Sequence, residues 1–171
     1  VIPPAKLEEA LADPAKMQLL DLPGFLGRNS KEIRSPELFA CAQALKAKYT
    51  RVGAIGYCWG GWACFRLAAK GNNLLDCVSV AHPSLLEKSE IDALGVPTQI
   101  CAPETDNQLT PELKEYCNKV IPGLGLPYQY DYYPGLVHGF AAKGDPNNPL
   151  QKEGLERAKN SAVAWFNQFL H

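Results

Sequence analysis

No stretch of this chain comes near the ~20 consecutive apolar residues that a membrane-spanning helix requires. There is no excess of either charge. Seventeen Lys and Arg face eighteen Asp and Glu, for a formal net charge of −1. That balance argues against a nucleic-acid or anionic-membrane partner held by electrostatics. Histidine occurs three times, at scattered positions, and no pair of the six cysteines has zinc-ligand spacing, so nothing reads as a metal site. Methionine occurs once and does not begin the chain. The opening Val1-Ile2-Pro3-Pro4 lacks the charged-then-apolar profile of a signal peptide. The natural start of the protein is therefore expected ahead of Val1. There is no internal repeat, low-complexity stretch or linker.

What is present suits one domain. The 171 residues, 46% hydrophobic and 20% charged, can bury a real core, and 1–171 reads as a single unit. The cysteines do not look like a disulfide framework. Cys41 and Cys64 fall in helical patterns and Cys77 and Cys101 in apolar strand-like runs, as small buried hydrophobes do in a reducing, cytoplasmic setting.

The most informative stretch is Gly56-Tyr57-Cys58-Trp59-Gly60-Gly61. A strand-like run, 52–55, leads in, and a helix-like run, 62–70, leads out. Gly-x-Cys-x-Gly-Gly between strand and helix has the form of a nucleophile elbow with Cys in place of Ser. Gly56 and Gly60, lacking Cβ, are expected to let strand and helix approach closely. Cys58 then sits at a helix N-terminus, where free N–H groups and the helix dipole favour a thiolate. The backbone N–H of Trp59 is placed as an oxyanion donor.

The remaining chain alternates strand and helix. Residues 5–11 pattern as a short helix and 18–21 as a weak strand. Residues 22–24 and 27–30 read as loop. Ser35-Pro36-Glu37 reads as a helix start, with Leu38, Cys41, Ala42, Leu45 and Tyr49 forming a stripe toward a sheet. After the elbow come a strand over 75–81, a short helix over 89–94 capped by Ser89, and a strand over 96–102. A helix opens at Thr110-Pro111-Glu112, a strand covers 127–133, a loop 134–149, and a last amphipathic helix 150–170. This order predicts an α/β fold, a doubly wound and mostly parallel sheet with helices on both faces. The loops after parallel strands share one edge. Cys58, His82, residues 103–110 and residues 134–149 are thus expected together.

A thiol nucleophile needs a base, and the base an orienting acid. His138, in a loop after the last strand, is the candidate base. Asp106 and Glu104 are both candidate acids, with Asp106 preferred because its shorter side chain orients an imidazole more rigidly. His82 lies on the same edge, where it contacts substrate or serves as a structural histidine. Tyr57, Trp59 and Phe140 either wall an apolar pocket or belong to the core.

Three segments together resemble the dienelactone hydrolase family: Gly56–Gly61, Ala102-Pro103-Glu104-Thr105-Asp106, and Pro134-Gly135-Leu136-Val137-His138-Gly139-Phe140. The resemblance runs from about Leu22 to the C-terminus. It implies an α/β-hydrolase fold and a triad of Cys58, Asp106 and His138. It also implies hydrolysis of small-molecule esters or lactones without a cofactor. Two departures follow. Where dienelactone-opening members place an arginine after the catalytic histidine, this chain has Ala141, Ala142 and Lys143, so Lys143 is the candidate for a substrate carboxylate. The family also places several strands ahead of the elbow. The chain is therefore expected to be the C-terminal portion of the full fold, with an N-terminal segment of the same protein as its partner. The rival readings are an inactive relative that binds a small ligand or protein, a redox-sensing thiol, and a cysteine peptidase.

Overall fold

The computed structural model describes residues 21–171. They fall into two compact units, divided between Glu37 and Leu38. The helix expected at 5–11 and all but the end of the strand expected at 18–21 lie outside the described residues.

In the first unit, helix α1 spans Leu22–Arg28, where loop was expected. Asp21 caps it, accepting a hydrogen bond from the Gly24 N–H (3.0 Å), and Pro23 lies in the first turn. Proline there is a start signal rather than a breaker, and two glycines weaken a helix without forbidding it. Helix α2, Lys31–Lys48, likewise begins earlier than its Ser35-Pro36 signal predicts. Pro36 lies inside it and costs the helix one N–H donor.

In the second unit, α2 faces the core through Leu38, Phe39 and Ala42. Cys41, Leu45 and Tyr49, expected on that stripe, are exposed. Lys46, one turn beyond Ala42, lies on the same side, and its Nζ pairs with Asp76 Oδ2 at 2.6 Å. Four strands form the sheet: β1 (Gly53–Tyr57), β2 (Cys77–Ala81), β3 (Thr98–Thr105) and β4 (Tyr128–Val137). They lie in the order β1-β2-β3-β4, and every pair is parallel. The connecting helices are α3 (Trp59–Leu67), α4 (Lys88–Asp92) and α5 (Pro111–Val120), and α6 (Pro149–Leu170) closes the chain. Among the described residues no helix is long and apolar enough to cross a membrane.

The caps explain the boundaries. Thr110 caps α5 as expected, accepting from the Leu113 N–H. Asn148 caps α6 through the Leu150 and Gln151 N–H groups. Glu87, not Ser89, caps α4, in a reciprocal box with Glu90. Strands β3 and β4 run further than expected. Their ladder shifts register between Pro103 and Thr105, then resumes with Thr105 opposite Val137. The Glu104 carboxylate fills the break by accepting the Gly135 N–H at 2.6 Å.

The sheet is covered on both faces. On one, Trp62, Phe65 and Leu67 of α3 pack over Val78, Val80 and Ile100. On the other, α6 approaches so closely that a Cβ on Gly53 would lie 2.7 Å from the Phe166 ring. Beneath α6 lies a polar network absent from the expectation. Ser79 Oγ donates to Gln99 Oε1 (2.6 Å), Gln99 Nε2 to Ser161 Oγ (2.8 Å), and Ser161 Oγ to Asp131 Oδ2 (2.5 Å). Each buried polar group meets another, which is what makes such a layer tolerable.

Candidate active site

Cys58 is the single residue between β1 and α3, and its backbone is strained, with φ 51° and ψ −115°. A non-glycine residue there costs ~1–3 kcal/mol, and such strain clusters at functional sites. Three backbone hydrogen bonds hold it. The Cys58 N–H donates to Ala81 O (3.3 Å), and Cys58 O accepts from the Gly61 and Ser84 N–H groups, both at 2.9 Å. Glycine is required at Gly56, where a Cβ would lie 2.3 Å from Gly60 O. It is also required at Gly61, where a Cβ would lie 2.4 Å from Pro83 Cβ. Gly60, expected to carry this role, has open space around it. Close packing therefore falls on the strand side of the turn and on its contact with the segment after β2.

All six cysteines are free thiols. Burial pushes Cys64, Cys101 and Cys117 up to about 12 and Cys77 up to about 11. Cys58 is half-buried, with Sγ 3.5 Å from Ser84 Oγ.

Asp106 follows β3, and its side chain is fully buried. Oδ1 accepts the Gln108 N–H (2.8 Å) and the Leu109 N–H (3.0 Å). The same oxygen lies 2.9 Å from Nδ1 of His138, which follows β4 directly. A carboxylate that accepts from Nδ1–H leaves Nε2 as the basic nitrogen. His138 Nε2 and Asp106 Oδ2 are buried without a protein hydrogen bond. The sulfur thus rests on Ser84, and thiol and imidazole are not hydrogen-bonded to each other. Such bonds are often loose before substrate arrives. Glu104, the alternative acid, is committed to the Gly135 N–H.

The other expected residues separate. Tyr57, 38% exposed, flanks His82 at 6.1 Å between ring centroids. Phe140 is buried and stacks on Tyr133 at 4.5 Å. Trp59 begins α3 and meets Trp62 edge-on at 5.0 Å. Lys143 is exposed, its N–H bonded to Gly139 O. Sequence reasoning missed Ser84. A serine after His-Pro looks like ordinary loop, and only its return toward Cys58 marks it.

The model of the dienelactone hydrolase family matches residues 26–170. The chain is 32% identical over 141 residues to "Hydrolase tropI" of Talaromyces stipitatus, covering 81% of this chain and 55% of that protein. It is 28% identical over 154 residues to the human "Carboxymethylenebutenolidase homolog", covering 84% and 59%. Among solved structures, a dienelactone hydrolase-like promiscuous phosphotriesterase from metagenomic libraries superposes with a TM-score of 0.66 at 20% identity. That match covers 87% of this chain and 66% of the other. The chain spans about half the length of the curated relatives it matches. A parallel sheet with helices on both faces, a strained cysteine at the strand-to-helix turn, and a family match over nearly the whole described length lead to one assignment: the chain belongs to the dienelactone hydrolase family.

Proposed function

We propose that the protein hydrolyses small esters or lactones without a cofactor, through Cys58 as nucleophile, His138 as general base and Asp106 as the acid that orients it. The observation that carries this reading is the 2.9 Å contact of His138 Nδ1 with a fully buried Asp106, on the sheet edge where strained Cys58 stands.

Nε2 of His138 takes the thiol proton once the sulfur leaves Ser84 Oγ. The thiolate attacks the carbonyl carbon, and the C=O electron pair moves to oxygen, facing the Trp59 N–H. Collapse expels the alkoxide, which receives the proton from His138, and leaves a thioester on Cys58. His138 then deprotonates a water that attacks the thioester, and the departing sulfur regains the proton. Sulfur leaves a tetrahedral intermediate more readily than an alkyl alkoxide does. Aryl and enol esters and strained lactones are therefore the substrate class. Tyr57 and Lys143 are the candidates for substrate contact, Lys143 as a point charge for a carboxylate rather than a bidentate fork. Phe140 backs the site through His82, at 5.7 Å between centroids. Free buried thiols suit a cytoplasmic location.

The test is aryl acetate hydrolysis by the full-length protein and its Cys58→Ala and His138→Ala variants. Both variants should lose turnover by about a thousandfold or more. Turnover at the parent rate in either would refute the scheme.

A further inference from the structure

The turn after β2 carries no chemical step in the scheme above, yet it touches both of its ends. His82 is only 1% exposed and has a φ of 38°. Its ring meets the His138 ring edge-on, with centroids 4.9 Å apart and planes at 65°. Phe140 and Tyr57 enclose it further. The turn is anchored at three points. The His82 N–H donates to Cys101 O and the Ser84 N–H to Cys58 O, both at 2.9 Å. Pro83 lies directly against Gly61. A ring carried on such a support is a fixed wall.

Asp106 holds the His138 imidazole at one atom, Nδ1. One hydrogen bond leaves a ring free to tilt about that contact, and the tilt moves Nε2, where the proton must be exchanged. We infer that His82 is a positioning residue whose ring supplies the second contact and so sets the plane of the His138 imidazole. The inference rests on the roles given above to Cys58, Asp106 and His138. Both His82 nitrogens are buried without a protein hydrogen bond, so the contact with His138 is made through the ring. Burial, then the neighbouring His138, lowers His82 to about 4. Near pH 7 it is therefore neutral, and His138 does not face a second imidazolium ring. The other titratable groups against it are Asp106, following β3, and Tyr57, ending β1.

The test uses the full-length protein with an aryl acetate. Active sites are counted by the burst of aryl alcohol, so that misfolded molecules do not enter kcat. His82→Leu fills the space without a flat ring, and His82→Asn serves where the leucine variant does not fold. His82→Phe restores a flat ring without nitrogens. The expected result is a kcat per site lowered about ten- to a hundredfold in His82→Leu, with KM little changed. His82→Phe should recover most of the loss. An unchanged kcat per site in His82→Leu would overturn the inference, as would a loss confined to KM. Failure of His82→Phe to improve on His82→Leu would assign the role to the nitrogens and overturn it too. Parent-level turnover in Cys58→Ala or His138→Ala would instead remove the underlying reading, an outcome separate from all of these.

Discussion

Asp106 lends itself to the most discriminating substitution, because one of its oxygens serves two purposes. Oδ1 accepts two backbone N–H groups, from Gln108 and Leu109, and also meets His138 Nδ1. Asp106→Asn keeps a carbonyl oxygen for the two amides but offers no carboxylate to the imidazole. The histidine then settles in the wrong tautomer, which in comparable triads costs about 10⁴ in kcat, or about 5.5 kcal/mol of barrier. Asp106→Ala adds a folding cost. It strands the buried Leu109 N–H, at about 1–3 kcal/mol, while the N–H of exposed Gln108 turns to solvent. The two variants should therefore share a catalytic defect and differ in stability by roughly 1–3 kcal/mol. Glu104→Gln is the control, since the Glu104 carboxylate accepts the Gly135 N–H while His138 Nδ1 meets Asp106. The assay is aryl acetate turnover per burst-titrated site, with urea unfolding run in parallel. If Asp106→Asn kept its turnover, or Glu104→Gln lost as much, the assignment of the orienting acid would be wrong.

Stability should also depend on pH through His82. Its folded value, about 4, lies below the ordinary histidine range near 6.5. The unfolded chain therefore binds the proton first, and the contribution present above pH ~6.5 is lost as pH falls toward 4. The loss is on the order of 3 kcal/mol, and urea midpoints at pH 7 and pH 4.5 should show the fall in the parent but a shallower one in His82→Phe. Equal falls would refute it. Gly56→Ala places a methyl 2.3 Å from Gly60 O, a backbone atom that cannot swing aside. Its melting temperature should drop by an amount equivalent to at least ~1–3 kcal/mol, whereas Gly60→Ala, with open space in α3, should lose nothing and gain up to ~1 kcal/mol of helix propensity. A Gly60→Ala loss equal to that of Gly56→Ala would count against the packing argument.

Some of this was legible along the chain. Alternating strand and helix patterns predicted a parallel sheet, and parallel strands place their C-terminal ends on one edge. That alone brought residues 58, 82, 106 and 138 to a common rim. The turn around Cys58 was legible because close approach demands glycine, although Gly61 rather than Gly60 meets that demand beside Gly56. One cap was read well where a hydroxyl preceded proline, at Thr110, but the same signal at Ser35-Pro36 lies inside α2. Caps were misread where proline or glycine was taken for a breaker, as at Pro23 and Gly27, or for the start itself, as at Pro36.

What the linear order could not convey is distance between segments that pattern alike. Asp106 and Glu104 stand two positions apart in one run, and local chemistry barely separates them. Tertiary structure does so by breaking the ladder at Pro103, which sends Glu104 to Gly135 and turns Asp106 inward to His138. The phase of α2 follows from the packing of Leu38, Phe39 and Ala42 on the core, and on that side Lys46 reaches Asp76, thirty positions away. The return of the His82–Leu85 turn onto Cys58 and His138 belongs to the same class. Periodicity reports which face of an element avoids water. Which residue of another element meets that face is settled only when the elements pack, because that choice depends on shape and register across the whole sheet.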